Sequence, residues 1–316
     1  MKSMTSEAKV AIVGAGRVGS TLAYSLVTNG SVRDIVLIDA SRERAEGEAM
    51  DIAHAVSFHT PVSIVPGELA DTAGAAITVI AAGAAQRVGE TRPELFQRNA
   101  DMLKRIVPEV ARINPDGLLI LATNPVDALT YLAVQLAGLP AGRVFGSGTV
   151  LDTARLRAEL ANYFHVDPRN VHAYVLGEHG DSEFVAWSSG NMANLHFDEL
   201  CRLTGMCSTS EQRSAIEERV RNAAYEIIRR KGGTNFAIAS ALTKIIEAVL
   251  RDEASVFTVS SPVDGHYGIR DVALSLPAIV DRTGVRQVLP VGLSDEEQSR
   301  LRASAAAVRK TLESLQ

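Results

Sequence analysis

A glycine-rich segment near the start of the chain constrains the fold more than any other feature. Residues 14–19 read Gly-Ala-Gly-Arg-Val-Gly and follow directly after the apolar run Val-Ala-Ile-Val at 10–13. They also open a helical pattern in which Leu22 and Leu26 share one face. Asp39 lies 20 residues past the last glycine, at the end of a second apolar run. A strand, a glycine turn, a helix and a later acidic residue form the dinucleotide-binding fingerprint, which predicts a Rossmann-type α/β domain.

The residues of this fingerprint have separate tasks. Gly14 permits the tight turn, Gly16 lets a pyrophosphate approach the backbone, and Gly19 lets helix and strand pack closely. The helix N-terminus offers unpaired N–H groups and a positive dipole end to the phosphates. Asp39 would accept hydrogen bonds from the adenosine ribose and repel a 2′-phosphate, which favours NAD over NADP. A plain glycine turn in another α/β protein is the alternative interpretation.

Apolar runs and helical patterns alternate through the first half of the chain. This alternation predicts a doubly wound parallel sheet with right-handed crossovers. The expected strands lie at 35–38, 62–65, 76–81 and 118–122, and the expected helices at 41–55 and 93–113, the second one kinked at Pro108.

The second half has longer helical patterns and fewer strands, which predicts an α+β domain. We therefore expect an NAD-binding Rossmann domain at 1–146 and a C-terminal substrate domain at 147–316. A capping-box pattern at 294–297 precedes a final helix with an apolar stripe, so that helix should pack onto the body of the protein. The other expected elements are helices at 150–164, 211–230 and 235–250 and strands at 171–176 and 256–260.

Composition and charge exclude several classes of function. The 316 residues carry a formal net charge of −5 with no basic run, so the electrostatic footprint of a nucleic-acid-binding protein is missing. The longest apolar stretch, 74–85, is too short to cross a bilayer, and residues 1–9 lack the core of a signal peptide. Two cysteines, Cys201 and Cys207, are too few for a disulfide framework. These features favour a cytoplasmic protein without membrane contact, and the seven histidines show no metal-ligand spacing.

A second glycine-rich segment carries the candidate acid–base residue. Residues 177–182 read Gly-Glu-His-Gly-Asp-Ser, which places His179 in backbone that can turn tightly beside a ligand. Asp152 and Arg155 lie three residues apart in a helical pattern and share one face. With the dinucleotide site, these residues favour hydride transfer involving a small hydroxy acid. Each residue taken alone has an ordinary structural explanation, such as an i,i+3 ion pair.

Several motifs, in order along the chain, resemble the L-lactate/L-malate dehydrogenase family from about residue 8 to the end. Within that family the chain is most similar to the bacterial lactate dehydrogenases. The motifs are residues 14–19, Gln-Arg-Val-Gly-Glu-Thr-Arg at 86–92, Thr-Asn-Pro-Val-Asp at 123–127, Leu-Asp-Thr-Ala-Arg at 151–155, residues 177–182, and Lys-Gly-Gly-Thr at 231–234.

The resemblance implies a role for each residue of this constellation. His179 would take the hydroxyl proton during oxidation and return it during reduction, and Asp152 would fix its tautomer and raise its pKa. Arg155 would bind the substrate carboxylate through two parallel hydrogen bonds. Arg92 would close over the site and polarise the carbonyl, and Asn124, before a candidate cis proline, would donate to the carbonyl oxygen. The implied NAD-binding residues are Gly14, Gly16, Arg17, Val18, Gly19, Asp39, Gly83, Asn99, Thr123, Asn124 and Ile238.

One loop decides between substrates in this family. Enzymes for malate and oxaloacetate place an arginine against the second carboxylate, whereas those for lactate place a glutamine, and the motif puts Gln86 at that position. An unpaired buried carboxylate is costly, so the resemblance implies pyruvate and L-lactate as substrates. Arg87 is the next residue and Val88 stands where many relatives have proline, so a malate dehydrogenase is the alternative. Thr234, which would lie beside the substrate methyl, matches the lactate pattern, and Ile238 would contact the nicotinamide.

The resemblance also implies partners. The resemblance to bacterial lactate dehydrogenases implies a homotetramer. It also implies a role in glycolysis and pyruvate fermentation. Arg157 points to another helix face than Arg155, and together with His172 it matches a pair that binds fructose 1,6-bisphosphate between subunits in the allosteric relatives. Such an effector would favour the assembled, active state. A surface arginine with a packed histidine is an equal alternative, and a non-catalytic NAD-binding protein is a more remote one.

Overall fold

A computed structural model of the chain describes residues 8–84 and 92–315. Its first half alternates strands and helices as the sequence pattern predicts. In chain order the elements are β1 Lys9–Val13, α1 Arg17–Asn29, β2 Asp34–Ile38, α2 Arg42–Ala55, β3 Ser63–Gly67, β4 Ile77–Ile80, α3 Arg92–Ile113, β5 Leu118–Leu121, α4 Val126–Ala137 and β6 Val144–Gly146.

The second half begins with a long helix and continues with short strands and further helices. Its elements are α5 Val150–Phe164, β7 Val171–His172, β8 Val175–Leu176, β9 Phe184–Val185, β10 Asn191–Met192, β11 Leu195–His196, α6 Phe197–Thr204, α7 Ser210–Lys231, α8 Phe236–Leu250, β12 Ser255–Phe257, β13 Ser260–Val263, β14 Val272–Ser275, β15 Ala278–Asp281, β16 Gly284–Val288 and α9 Asp295–Glu313.

The central sheet has the doubly wound topology. Its strand order is β14-β13-β6-β5-β4-β1-β2-β3, and the pairs from β6 to β3 are all parallel. The order reverses between β1 and β4, which is where open α/β sheets bind ligands. The predicted Rossmann fold is confirmed. β13 and β14 extend the sheet beyond β6 with antiparallel pairing, so two strands after residue 146 share it. The division into domains at residue 146 stays a prediction.

Both faces of this sheet are covered, which explains its continuous apolar strands. One core contains Ile12 and Leu37 from the sheet and packs against α1, α2 and α8. A second core contains Leu119 and Leu121 and packs against α3, α4 and α9. The helices thus form one layer on each face of the central sheet. The carboxyl ends of the parallel strands are not covered by these layers and can contribute to a ligand site.

Two segments that the sequence predicts as single strands are divided between sheets. The run at 171–176 forms β7, which pairs with β10, and β8, which pairs with β9. The run at 256–260 separates into β12, paired with β15, and the start of β13 in the central sheet. Hydrophobicity could not separate these pieces, because Val171, Val175 and Val259 are all fully buried.

Other expectations about the second half are met. Ser294 caps α9 in a capping box with Glu297. Leu301 and Val308 of this helix are buried on the face that packs against the second core. The cysteines depart from expectation: Cys201 and Cys207 form one disulfide at the end of α6, whereas their low number had favoured a protein of a reducing compartment. Among residues 8–84 and 92–315, no helix is both long and apolar enough to cross a bilayer.

Candidate active site

The glycine turn after β1 is closely packed on one side and open on the other. Gly14 has φ 111° and donates its N–H to the Ile38 carbonyl at 2.7 Å. A Cβ on Gly14 would collide with the backbone of Ala82, and one on Gly19 would collide with the Gly14 carbonyl oxygen. Next to Gly16, by contrast, nothing lies within 4 Å of where a Cβ would be. The turn therefore fits a pyrophosphate that approaches the backbone at Gly16.

A cavity of about 690 Å³ extends from this turn towards the end of β2. Asp39 stands in its wall, where one carboxylate oxygen accepts the Ala15 N–H at 2.8 Å and the other accepts the Ser41 N–H at 2.9 Å. These bonds fix the carboxylate where an adenosine ribose would pass, and the volume suits a nucleoside. Other residues that line the cavity are Gly14, Gly16, Arg42, Arg44, Gly83, Met102 and Arg105.

Three predicted cofactor residues hold the ends of β4 and β5 together. The Thr123 hydroxyl donates to the Ala82 carbonyl at 2.5 Å. The Asn99 amide donates to the Asn124 carbonyl at 2.8 Å and accepts the Ala84 N–H at 2.9 Å. The peptide bond between Asn124 and Pro125 is cis. Asn99 and Thr123 therefore connect the segments that follow β4 and β5, and their direct contact with a cofactor stays a prediction.

The segment at 231–234 lies beside the N-terminus of α1. The Arg17 guanidinium donates to the Lys231 carbonyl at 3.5 Å, and the Asn235 amide donates to the Thr21 hydroxyl at 3.0 Å. Thr234 is partly buried at this junction. Val18 and Ile238 pack at the edge of the first core. The structure thus brings these predicted residues to the dinucleotide turn.

The predicted acid–base group forms a compact cluster. His179 Nδ1 lies 2.6 Å from one oxygen of Asp152, and the Arg155 guanidinium donates to the other oxygen at 2.8 Å. Asp152 is 1% exposed, whereas 24% of the His179 side chain is exposed. One buried carboxylate thus orients both the imidazole and the guanidinium. Because Nδ1 faces Asp152, the remaining ring nitrogen, Nε2, is the one that can exchange a proton with a substrate.

Opposed effects set the proton affinities of this pair. Burial disfavours the imidazolium, but the charge and hydrogen bond of Asp152, together with the charges of Glu183 and Asp127, outweigh burial and raise the pKa of His179 to about 9. Burial would likewise raise the pKa of Asp152, but His179 and Arg155 outweigh it, and the pKa of that carboxyl is lowered. The imidazole is therefore a protonated donor at neutral pH, in the direction that the sequence predicts.

Polar contacts from three elements fix the backbone around His179. The Gly177 N–H donates to the Ser275 carbonyl of β14 at 3.0 Å, and the Glu178 N–H donates to the Ser304 hydroxyl of α9 at 2.6 Å. The His179 N–H donates to Asp127 of α4 at 2.7 Å. The histidine is thus positioned by the central sheet and the helices on it.

Asp127 is a positioning residue to which the sequence assigned no role. It is buried, and its second oxygen accepts the Ser260 hydroxyl at 2.6 Å. Burial raises the pKa of Asp127 to about 6, against the stabilising hydrogen bonds from Ser260 and His179. In the sequence Asp127 is the charged residue of an otherwise apolar helical run, but an aspartate is common in the first turn of any helix, so this position did not indicate its role.

Glu183 is a second residue that the sequence motifs did not include. It is buried, and its carboxyl lies 4.0 Å from His179 Nδ1. Donor atoms of Asp152, His179 and Glu183 lie within 4.8 Å of one another, a grouping that histidine spacing alone did not predict. Because Nδ1 is already bonded to Asp152 at 2.6 Å, Glu183 at 4.0 Å has no hydrogen bond to the histidine.

Several predicted residues cannot be placed in this site. Gln86, Arg87 and Val88 lie outside the described residues, as does the side chain of Arg92, although that residue begins α3. Their proposed roles stay predictions.

Arg157 of the predicted effector pair lies on α5, His172 ends β7, and the contacts of Arg157 reach the two residues that follow His172. Arg157 Nε donates to the Ala173 carbonyl at 3.3 Å, and its guanidinium lies 5.5 Å from the centre of the Tyr174 ring. Burial lowers the pKa of Arg157. His172, the neighbour of Ala173, is exposed.

The fold and the site define an NAD-dependent oxidoreductase with a histidine–aspartate acid–base pair. The profile described as "lactate/malate dehydrogenase, NAD binding domain" matches residues 8–146, and the one described as "lactate/malate dehydrogenase, alpha/beta C-terminal domain" matches residues 149–316. The chain belongs to the lactate/malate dehydrogenase family.

Three lactate dehydrogenases illustrate the similarity. The chain is 47% identical to the L-lactate dehydrogenase of Thermoanaerobacterium saccharolyticum, over 97% of this chain and 99% of that one. It is 48% identical to the L-lactate dehydrogenase of Acetivibrio thermocellus, over 97% of each. The crystal structure of the minor L-lactate dehydrogenase from Enterococcus mundtii superposes with a TM-score of 0.95 at 38% identity, covering 98% of this chain and 99% of that one.

Proposed function

We propose that this protein catalyses the reversible reduction of pyruvate to L-lactate with NADH. The observation that carries the proposal is the buried contact of His179 and Arg155 with the two oxygens of Asp152. This cluster supplies a proton donor and an anion-binding guanidinium on one rigid support. The L-lactate dehydrogenases that resemble the chain along nearly its whole length support the choice of substrate.

His179 supplies the proton in this proposal. Its Nδ1 is held by Asp152 at 2.6 Å, so Nε2 faces the substrate oxygen. As the carbonyl carbon of pyruvate gains a hydride, its oxygen becomes alkoxide-like and takes the proton from Nε2. Asp152 stabilises the imidazolium before this transfer, and the neutral imidazole accepts a proton in the reverse direction.

Arg155 binds the substrate carboxylate. One N–H of its guanidinium is already used on Asp152, which fixes the plane of the group, and its other N–H groups can form the paired hydrogen bonds that a carboxylate accepts. Its side chain is 15% exposed, so this interaction takes place with little competition from water.

The cavity along β1 and β2 would hold NAD. Gly14, Gly16 and the N-terminus of α1 would bind the pyrophosphate, and Asp39 would bind the adenosine ribose. When bound, the nicotinamide supplies or accepts the hydride. The residues of the chain place the substrate carbon against it and exclude water.

Gln86 selects the substrate side chain. A neutral amide leaves a second carboxylate unpaired in a closed site, which disfavours oxaloacetate relative to pyruvate. Arg92 is proposed to polarise the substrate carbonyl, and Thr234 to contact the substrate methyl.

We further propose a cytoplasmic homotetramer that binds fructose 1,6-bisphosphate at Arg157 and His172. Arg157 donates to the carbonyl of Ala173, the residue after the exposed His172, and a guanidinium and an imidazolium can each bind a phosphate. A bisphosphate shared between subunits would favour assembly.

The test follows NADH absorbance with purified protein offered pyruvate and oxaloacetate separately. Each reaction is run with and without fructose 1,6-bisphosphate. Rapid oxidation with pyruvate alone is expected. A preference for oxaloacetate would show that Arg87 rather than Gln86 faces the substrate, and a flat response to the bisphosphate would remove the effector site.

A further inference from the structure

Glu183 is a buried carboxyl beside the acid–base pair with no use in the mechanism above. The residue is 4% exposed and immediately precedes β9. Its Oε2 atom lies 4.0 Å from Nδ1 of His179, on the same side of the imidazole as Asp152. Among the residues that the structure describes, none donates a hydrogen bond to its carboxyl group. Buried carboxyl groups normally have such partners, so this one requires an explanation.

The nearby arginines do not neutralise Glu183 directly. The Arg221 guanidinium of α7 donates to the backbone carbonyl of Glu183 at 3.3 Å and to the Glu217 carboxylate at 2.8 Å. Arg155 of α5 is bonded to Asp152. The closest cationic partner for the Glu183 carboxyl is therefore the imidazolium of His179.

We propose that Glu183 is a positioning residue for catalysis, whose carboxylate helps His179 retain its proton under alkaline conditions. The proposal rests on the proposed function, since it concerns the proton that reduces pyruvate. In its neutral form the Glu183 carboxyl avoids the cost of an unpaired buried charge. In its ionised form it adds a second negative charge beside the imidazolium.

The surrounding charges favour this switch near the working pH. Burial, and secondly the negative charge of Asp152, raise the pKa of Glu183 to about 8, whereas His179, Arg155 and Arg221 act in the opposite direction. Asp127 of α4 adds a further negative group beneath the backbone of His179. Glu183 is therefore neutral at pH 7 and becomes charged where His179 would begin to lose its proton.

The experiment compares pH profiles of kcat/KM for pyruvate, from about pH 6 to pH 10, for the wild type and Glu183→Gln. The amide resembles the neutral acid, so the variant should be within about twofold of the wild type at pH 7. The alkaline decline of kcat/KM in the variant should occur about one pH unit lower than in the wild type, which reduces kcat/KM about fivefold at pH 9. Glu297→Gln is the matched control, because Glu297 is a buried carboxyl of α9 bonded to Ser188 and Ser294. The alkaline decline of kcat/KM in this control should occur at the same pH as in the wild type.

A Glu183→Gln enzyme with the same alkaline decline as the wild type would overturn the proposal and leave Glu183 a structural residue. If that variant does not fold, Glu183→Asp provides the test. Its carboxylate lies further from Nδ1, so the alkaline decline of kcat/KM should shift to lower pH by less than one unit. A decline at the same pH as in the wild type would overturn the proposal. Absence of pyruvate reduction in the wild type would instead refute the proposed function.

Discussion

The charge of Asp152 is the largest single support for a protonated His179, so its removal gives the sharpest prediction. The change Asp152→Asn keeps the shape of the side chain and removes the charge. The pKa of His179 is raised from 6.5 to about 9, a difference equivalent to about 3 kcal/mol. Without the carboxylate, burial should bring that pKa back to 6.5 or below.

The consequence is a measurable loss of pyruvate reduction at neutral and alkaline pH. At pH 7.5 nearly all His179 is protonated in the wild type, but only about one tenth would be in Asp152→Asn, which costs about tenfold in kcat/KM. Loss of the fixed tautomer adds to this, so a total decrease of about 10³-fold is expected. The assay follows NADH absorbance over a pH series. Glu159→Gln is the control, because it changes another carboxylate of α5, which pairs with Arg219. An alkaline limb that stays near pH 9 in Asp152→Asn would refute the reasoning.

Thermal unfolding provides a second readout with a defined sign. A histidine with a raised pKa stabilises the fold fully below its unfolded pKa of 6.5, and this contribution is lost as pH rises through about 9. Between pH 6.5 and about pH 9, the Tm of the wild type should therefore fall more steeply with pH than the Tm of Asp152→Asn. Equal slopes in the two proteins would contradict the assigned pKa.

Three further substitutions test the remaining parts of the site. Arg155→Lys should lower kcat/KM for pyruvate roughly a hundredfold, because an ammonium cannot form the paired hydrogen bonds, and steady-state kinetics would measure this. Asp39→Ser should raise KM for NADH about tenfold and allow use of NADPH, since repulsion of the 2′-phosphate is gone; unchanged discrimination between the cofactors would contradict the role of Asp39. Gln86→Arg should shift preference towards oxaloacetate, and a variant that loses pyruvate activity without this gain would show that the loop register is wrong.

The fold was predictable where hydrophobic pattern and turn chemistry agreed. The strand at 10–13, the turn at 14–19 and the helix that contains Leu22 and Leu26 each follow from local rules, and the structure confirms them. The run at 171–176 did not follow, because an apolar sequence does not record which strand each half pairs with.

The site was predictable only where residues belong to recognisable motifs. His179, Asp152 and Arg155 are such residues, and the structure brings them together. The parts played by Asp127 and Glu183 depend on contacts between segments distant in the chain, such as the bond from the His179 N–H to α4. These contacts arise from the packing of the sheet and its helices, so local sequence could not specify them.

In the proposed reaction, hydride passes directly to the carbonyl carbon of pyruvate and His179 protonates its oxygen. The most direct measurement supplies NADH deuterated at the transferable position and analyses the product by NMR and by its chirality. We expect one deuterium at C2 of L-lactate for each NADH consumed. Unlabelled lactate, lactate of the opposite hand, or label found only in malate when oxaloacetate competes would contradict it.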